Sequence, residues 1–257
     1  MNIVKSKPLI SIIIPAYNCR DTIEETLDSV LKQSLQDFEV IIIDDDSNDD
    51  TYNMISDYIL DYPNFSLYKN RNNLGVAETR NKGFDLAQGE YIALLDADDV
   101  WLPTKLQKQY ELFESSNCDV VYTSYKMFQN DDSTIQKQYI TKTFVTYEDM
   151  LKENYIGCST VMLKSQICTQ YKMNADVYHE DYAYWLLLLR KKIMFLGLNE
   201  VLVNYRIIES ARSHNKINAL YHRLKIYIVN ENIGIIYSVY LLFTYILRGL
   251  KKYKWEK

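Results

Sequence analysis

Apolar residues along this chain fall into short β-branched runs, separated by stretches in which they recur every three or four positions. Leu9-Ile10-Ser11-Ile12-Ile13-Ile14, stopped by Pro15, reads as a central parallel strand buried on both faces. Asp21-Thr22-Ile23-Glu24 has the form of a capping box, and Ile23, Leu27, Val30 and Leu31 follow at helical spacing. Phe38-Glu39-Val40-Ile41-Ile42-Ile43 predicts a second strand. Ser47-Asn48-Asp49-Asp50 is turn and cap chemistry for a second helix, with Met54, Ile55, Tyr58 and Ile59 as its buried stripe. A shorter strand is expected over Phe65 to Tyr68. Gly75 opens a third helix through Ala87, Gly89 is expected at its C′ position, and Tyr91-Ile92-Ala93-Leu94-Leu95 forms a fourth strand. Strands alternating with helices in this way imply βαβ units and a mostly parallel α/β sheet flanked by helices.

Beyond residue 100 the pattern is less regular. Thr104 to Glu114 is helical, Cys118 to Tyr122 a strand, and the polar stretch 126–142 a β-hairpin or a flexible excursion. Thr146 caps a short helix over Tyr147 to Glu153, and Ser159 to Leu163 is a strand. His179-Glu180-Asp181 leads into a mostly buried helix ending at Arg190, and Phe195 to Tyr205 supplies one or two more strands. Ile217, Leu220, Tyr221, Leu224, Tyr227 and Ile228 then make an apolar helical stripe, with Lys216, Arg223 and Lys225 off it. Ile233 through Leu247 is almost wholly apolar but falls short of the roughly 20 residues a spanning helix needs.

Composition sharpens this only in places. The 257 residues suffice for one sizeable α/β domain with an appendage. A net charge of −5 argues against sequence-independent nucleic-acid binding, which needs basic surface. The charge is uneven: residues 221–257 carry seven Lys/Arg against Glu231 and Glu256, a net of +5 that leaves −10 for the rest. Cys19, Cys118, Cys158 and Cys168 have no C-x-x-C spacing, and the histidines are scattered, so neither a redox pair nor a zinc site is indicated. The stretch Met1 to Lys7 has no apolar core ahead of a cleavage site, so a cytoplasmic setting is expected.

The chemistry gathers at strand ends. The second strand runs into Asp44, Asp45 and Asp46, and the fourth into Asp96, Asp98 and Asp99. In open α/β sheets ligands bind beyond the carboxyl ends of the strands, so both clusters face one crevice. Paired carboxylates repel unless a cation or a donor compensates them, and carboxylate oxygens suit Mg²⁺ or Mn²⁺, with substrate phosphates completing the shell. A solvated turn capping the next helix would place the same acids there. The loop Pro15-Ala16-Tyr17-Asn18 has no glycine, so a phosphate cradle of backbone amides is absent. A nucleotide bound here would need its phosphates neutralised by a metal and basic side chains. An EF-hand reading of residues 44–55 fails, because Asp49 stands at the turn glycine and Ile55 at the bidentate glutamate.

Several ordered segments then carry a specific resemblance. They are Ile12-Ile13-Ile14-Pro15-Ala16-Tyr17-Asn18, Ser29 to Ser34, Phe38 to Ser47, Gly75 to Gly83, Gly89-Glu90-Tyr91-Ile92, Leu95-Asp96-Ala97-Asp98-Asp99, His179-Glu180-Asp181-Tyr182 and Tyr205-Arg206. Over roughly residues 8–215 the sequence resembles the inverting family 2 glycosyltransferases of GT-A fold. Two departures are Asp46, where that family usually has Gly, and Ile208, where many members have His.

The resemblance implies a catalytic domain over 1–215, with a nucleotide-binding half (8–100) and an acceptor half (101–215), followed by a helical tail over 216–257. It implies that Pro15, Ala16 and Tyr17 wall the base of a nucleotide-sugar donor, most simply a UDP-sugar. Asp45 would accept from the pyrimidine imide, or else only cap its loop. Arg80 would lie near the ribose or diphosphate, or else on a helix surface. Asp96 and Ala97 would meet the ribose, Asp98 would hold Mn²⁺ or Mg²⁺, and Arg206 would contact the diphosphate. Asp181 would be the general base toward a glycan hydroxyl, with Glu180 orienting the acceptor, although two acids there also suit a helix cap. Residues 206–216 would form a loop closing on the donor.

The cationic, apolar tail admits two readings. It lies in a membrane interface, which the acidic body and basic tail favour, or it packs on the catalytic domain or on a second copy in a homodimer. Interfacial attachment to the inner face of the cell membrane would make a lipid-linked glycan, in cell-surface polysaccharide synthesis, a sensible acceptor. Two rival functions are a sugar-1-phosphate nucleotidyltransferase, which needs a glycine-rich first loop, and a non-catalytic sugar-nucleotide-binding or scaffold module of a glycan-assembly complex. The joint presence of Asp98 and Asp181 weighs against the second.

Overall fold

A computed structural model of the chain describes residues 7–128 and 137–207, and 216–254 with side chains over 218–248. In chain order the first half runs β1 (Ile10–Ala16), α1 (Ile23–Leu31), β2 (Phe38–Asp44), α2 (Thr51–Tyr58), β3 (Phe65–Lys69), α3 (Val76–Leu86) and β4 (Tyr91–Leu94). Next come β5 (Val100–Trp101), α4 (Lys105–Ser115), β6 (Val120–Phe128), β7 (Lys137–Tyr139), α5 (Tyr147–Lys152), β8 (Met162–Lys164), α6 (Ser165–Gln170), α7 (Glu180–Arg190) and β9 (Phe195–Arg206). The tail forms α8 (Lys216–Lys225), a π-helical turn (Ile226–Asn230) and α9 (Ile235–Lys254).

One nine-stranded sheet holds these strands in the order β3-β2-β1-β4-β8-β6-β9-β5, with β7 hairpinned onto β6. The four expected strands pair in parallel, β1 lying between β2 and β4. Beyond β4 the sheet turns antiparallel through β8 and β6, then gains the long parallel β6–β9 pair, whose register slips between Thr123 and Tyr125. Alternation along β1 decides the layers. Ile13 joins Ile41, Ile43, Phe84 and Trp185 on the α3 and α7 face, while Ile12 and Ile14 join Leu27, Val30, Val40 and Ile55 on the α1 and α2 face.

Local details depart from the sequence reading where tertiary partners compete. The capping box at Asp21-Glu24 does not form; Thr22 is the N-cap residue without a capping bond, and its hydroxyl donates to the Ala97 carbonyl at 2.9 Å. Gly89 is not a left-handed C′ residue, since the α3 cap is Ala87 in extended backbone. It is required instead by a close approach: a Cβ there would lie 2.5 Å from the Ser11 nitrogen. Residues 158–160 form a 3₁₀ turn and the strand starts only at Met162. The reason is that Ser159 turns inward, accepting from the Asp96 amide at 3.0 Å and from the Trp101 indole at 2.8 Å through its carbonyl. Thr146 does cap α5, exchanging bonds with Asp149 at 3.1 Å in both directions. The 126–142 segment is a hairpin between β6 and β7, its tip outside the described residues.

The tail packs on the body through a cation. Arg223, expected off the apolar stripe, is buried, while Tyr221 on that stripe is exposed. The Arg223 guanidinium is sandwiched between the rings of Tyr182 on α7 (4.2 Å) and Tyr245 on α9 (4.0 Å), and donates to the Tyr227 hydroxyl at 2.6 Å. Leu241 and Ser238 of α9 are buried, whereas Ile235, Ile236, Val239, Tyr240 and Phe243 remain exposed. Among the described residues no helix is long and apolar enough to cross a membrane.

Candidate active site

At the carboxyl edge of β1, β2 and β4 lies a cleft of about 690 Å³. Lining it are Pro15, Ala16, Tyr17, Asp45, Arg80, Asp96, Ala97, Asp98, Glu180, Asp181 and Arg206, whereas Asp44, Asp46 and Asp99 of the two acidic clusters do not line it. The first three close the β1 end, where Tyr17 leaves its ring half exposed. Asn18, in left-handed backbone, ties this loop to the next through bonds with Ser47 and Asn48. Asp46 has φ +64°, which accounts for the glycine usual in similar sequences; a short polar side chain is among the few that tolerate it.

Asp45 is largely engaged by its own protein. Its carboxylate accepts from the backbone amides of Leu74 and Gly75 and from the Asn70 side chain, each at 2.8 Å. Gly75, at φ +84°, begins α3, so Asp45 ties the end of β2 to that helix start. The loop-capping role left open by the sequence is therefore real; Oδ1 accepts two bonds and Oδ2 one, so a further lone pair remains on Oδ2.

Arg80 is no surface arginine. It is 3% exposed and forks between two acids far apart in the chain, Asp96 at 2.6 Å and Glu180 at 2.7 Å, the second a hundred residues beyond it. The pairing joins the β4 terminus to the start of α7. It also redefines Glu180, which grips Arg80 instead of facing the cleft as a free carboxylate.

The turn 96–99 is held by atoms from four distant segments. The Ala97 carbonyl accepts from Thr22 (2.9 Å) and Thr26 (3.1 Å), and the Asp96 amide donates to Ser159. Arg206 donates its backbone amide to Asp99 at 2.9 Å and its Nε to the Asp98 carbonyl at 2.8 Å, ion-pairs with Glu25, and stacks over Phe128. Arg206 thus braces the turn that presents Asp98. Burial and the neighbouring Asp96 push the Asp98 carboxyl up to about 6, with Arg206 and Arg80 opposing. A carboxylate made costly to ionise by another carboxylate is relieved by a hard divalent cation, so the donor set fits one. Among the described residues no three His, Cys, Asp or Glu side chains converge, so such an ion would complete its shell with oxygens from outside the protein.

Across the cleft, Asp181 stands in the first turn of α7. Burial and the adjacent Glu180 push it up to about 7, while Arg80 and the Tyr182 amide, 2.6 Å from Oδ1, work the other way. A carboxylate poised there is suited to take a proton near neutral pH.

The sequence missed Tyr178, Tyr205, Cys158, Asn73, Val76 and Thr79, which also line the cleft. Tyr178 and Tyr205 adjoin residues already singled out and could have been found as aromatic flanks of acidic and basic motifs; the others carry no local signal. Ile208 and most of the expected closing loop lie outside the described residues.

This is the GT-A fold, and the chain belongs to glycosyltransferase family 2, whose model, "Glycosyl transferase family 2", matches residues 11–192. The putative teichuronic acid biosynthesis glycosyltransferase TuaG of Bacillus subtilis is 36% identical over 246 residues, covering 96% of this chain and 98% of that protein. The UDP-Glc:α-D-GlcNAc-diphosphoundecaprenol β-1,3-glucosyltransferase WfaP of Escherichia coli is 36% identical over 249 residues, covering 95% of each. Among solved structures, the mannosyltransferase PcManGT of Pyrobaculum calidifontis with GDP-Man and Mn²⁺ superposes with a TM-score of 0.72 at 17% identity, over 95% of this chain and 74% of that one. TarS of S. aureus with UDP gives 0.67 at 19%, over 95% and 72%. Both likenesses concern the fold alone.

Proposed function

We propose that this glycosyltransferase moves a sugar with inversion from a UDP-sugar to a hydroxyl of a lipid-linked glycan during cell-surface polysaccharide synthesis. The observation that carries the reading is that one cleft is lined by two carboxylates with raised pKa from different elements, Asp98 after β4 and Asp181 in the first turn of α7. The lipid-linked acceptor is supported by the name of the Escherichia coli relative, and UDP by that name too.

In this reading residues 8–100 serve the nucleotide and 101–215 the acceptor. Pro15, Ala16 and Tyr17 flank the base, Asp45 uses the remaining lone pair of Oδ2 on the pyrimidine imide, and Asp96 and Ala97 meet the ribose. Asp98 would hold Mn²⁺ or Mg²⁺, which supplies charge compensation for the diphosphate when bound. Asp181 takes the proton of the acceptor hydroxyl as that oxygen bonds to the anomeric carbon and the bond to the diphosphate breaks, releasing the nucleoside diphosphate. Arg80 holds Glu180 and Asp96 in place, fixing the distance between base and donor. Its buried charge also opposes loss of the charged form of Asp181.

Purified protein given UDP-glucose, Mn²⁺ and an α-N-acetylglucosaminyl diphosphate on a short isoprenoid should release UDP and yield a β-linked disaccharide. UDP with Mn²⁺ should raise Tm by mass action. Retained α configuration in the product, or no Tm response to any nucleoside diphosphate, would refute the reading.

The tail serves attachment. The exposed apolar face of α9 lies in the membrane interface, and the sequence continues into Lys251, Lys252 and Lys254, charges that suit anionic lipid. An Ile236→Ser/Phe243→Ser protein should lose most of its cosedimentation with phosphatidylglycerol vesicles while still binding UDP; unchanged sedimentation would sink the attachment.

A further inference from the structure

A second, smaller hollow of about 300 Å³ opens beside the main cleft and shares Val76, Tyr178 and Glu180 with it. Its floor and walls are the start of α3, the turn before α7, and one residue of the tail, His222 on α8. The acids of the 96–99 turn do not line it, whereas Glu180, adjacent to Asp181, does. The hollow therefore belongs to the side of the proposed base.

Its lining includes a stacked aromatic pair, each ring of which keeps one outer face. The rings of Tyr178 and His222 stack with centroids 4.3 Å apart and planes within 11°. His179 meets Tyr178 edge-on at 5.0 Å, and Tyr221 meets His222 edge-on at 5.3 Å, which fixes both rings in place. Opposite stand the small or apolar Leu74, Gly75, Val76 and Ala77. A pyranose has one face of polarised C–H bonds and a rim of hydroxyls. The electron-rich face of an aromatic ring attracts the former, and the polar edges of Tyr and His can bond the latter. A concave, mostly apolar wall with a few polar groups is what binds such a ring.

We infer that the Tyr178–His222 pair is the platform on which the acceptor's terminal pyranose lies, so that helix α8 of the tail forms one wall of the acceptor site. This rests on the transferase reading above and extends it to the acceptor. The tail then has two tasks. Through α9 it presents an apolar face, and through His222 it completes the subsite into which a lipid-linked sugar is delivered. Attachment of α8 to the body does not depend on the aromatic pair alone, since Arg223 is clamped independently between Tyr182 and Tyr245.

The test is titration of an α-N-acetylglucosaminyl diphosphate on a short isoprenoid into the full chain loaded with UDP and Mn²⁺, with steady-state transfer alongside. Tyr178→Ala and His222→Ala should each weaken probe binding, and raise the acceptor KM, at least tenfold. In His222→Ala, whose ring does not line the main cleft, affinity for UDP and acceptor-independent hydrolysis of the donor should stay within twofold. His222→Phe, which keeps a flat ring, should recover acceptor KM to within about threefold of wild type. Undiminished probe binding in both alanine variants, or a parallel loss of UDP affinity in His222→Ala, would overturn the platform. Failure of the wild-type protein to bind UDP at all would instead overturn the donor reading on which it stands.

Discussion

Two strands in this sheet end in acids, and their fates differ. At the end of β2, Asp45 receives two backbone amides and an amide side chain, all neutral donors supplied by the protein. At the end of β4, Asp98 faces Asp96 and is pushed up to about 6 by burial and that neighbour. The first carboxylate is an internal structural tie with one spare lone pair, on Oδ2. The second is a site of unrelieved negative charge. The same residue type after the same kind of strand becomes architecture or chemistry according to which donors the neighbouring segments aim at it.

That contrast can be broken most severely at Asp98. Asp98→Asn should cut transfer by about 10²–10³-fold, as expected when stabilisation of leaving-group charge is lost. It should also abolish the Tm gain from Mn²⁺ with UDP, yet leave the ligand-free protein at pH 8 no less stable than wild type. The last result follows from linkage. A carboxyl whose folded pKa stands above its unfolded value of about 3.9 binds more protons in the folded state, so stability falls as pH rises between the two values. For Asp98 that window ends near 6 and for Asp181 near 7.

Asp181→Asn should lower kcat by about 10²-fold or more while UDP affinity is kept, since it removes a proton acceptor and not a donor contact. In the wild type, kcat should rise with pH as Asp181 ionises, with a midpoint near 7. A flat profile between pH 5.5 and 8.5, measured at saturating donor and acceptor, would remove Asp181 from the role of base.

The smallest effect on chemistry, and the opposite one on stability, belongs to Asp45. Asp45→Asn turns an NH₂ group toward the Leu74 or Gly75 amide and leaves a buried donor unmatched, a loss of about 1–3 kcal/mol. Urea unfolding should therefore rank Asp45→Asn below wild type and Asp98→Asn level with it or above. Equal losses for both would mean that the two strand ends are not different in kind.

The division between legible and hidden features follows the same line. The β-branched runs of β1 and β2, the helical stripes of α1 and α2, and the acids at the strand ends could be read directly, because burial imposes a period on local sequence. The cleft itself was legible too, since strands ending in acids in a parallel sheet must share an edge. Where a residue's role depended on a distant partner, reading failed or stayed open. Gly89 looked like a helix cap but exists for its approach to Ser11. Glu180 gave no sign of the ion pair with Arg80 that it makes while lining the cleft. Arg223 looked solvated but is the buried cation that fastens the tail.

The sequence by itself determined the alternation of strand and helix, the sites where negative charge accumulates, and the amphipathic character of the tail. Only the tertiary structure decided which acids are quieted by amides or by Arg80, which remain strained, and which face of α9 is covered. The reason is physical: periodicity is a property of neighbours along the chain, whereas the ionisation and contacts of a side chain are set by groups that folding brings from far away, a hundred residues for Arg80 and Glu180.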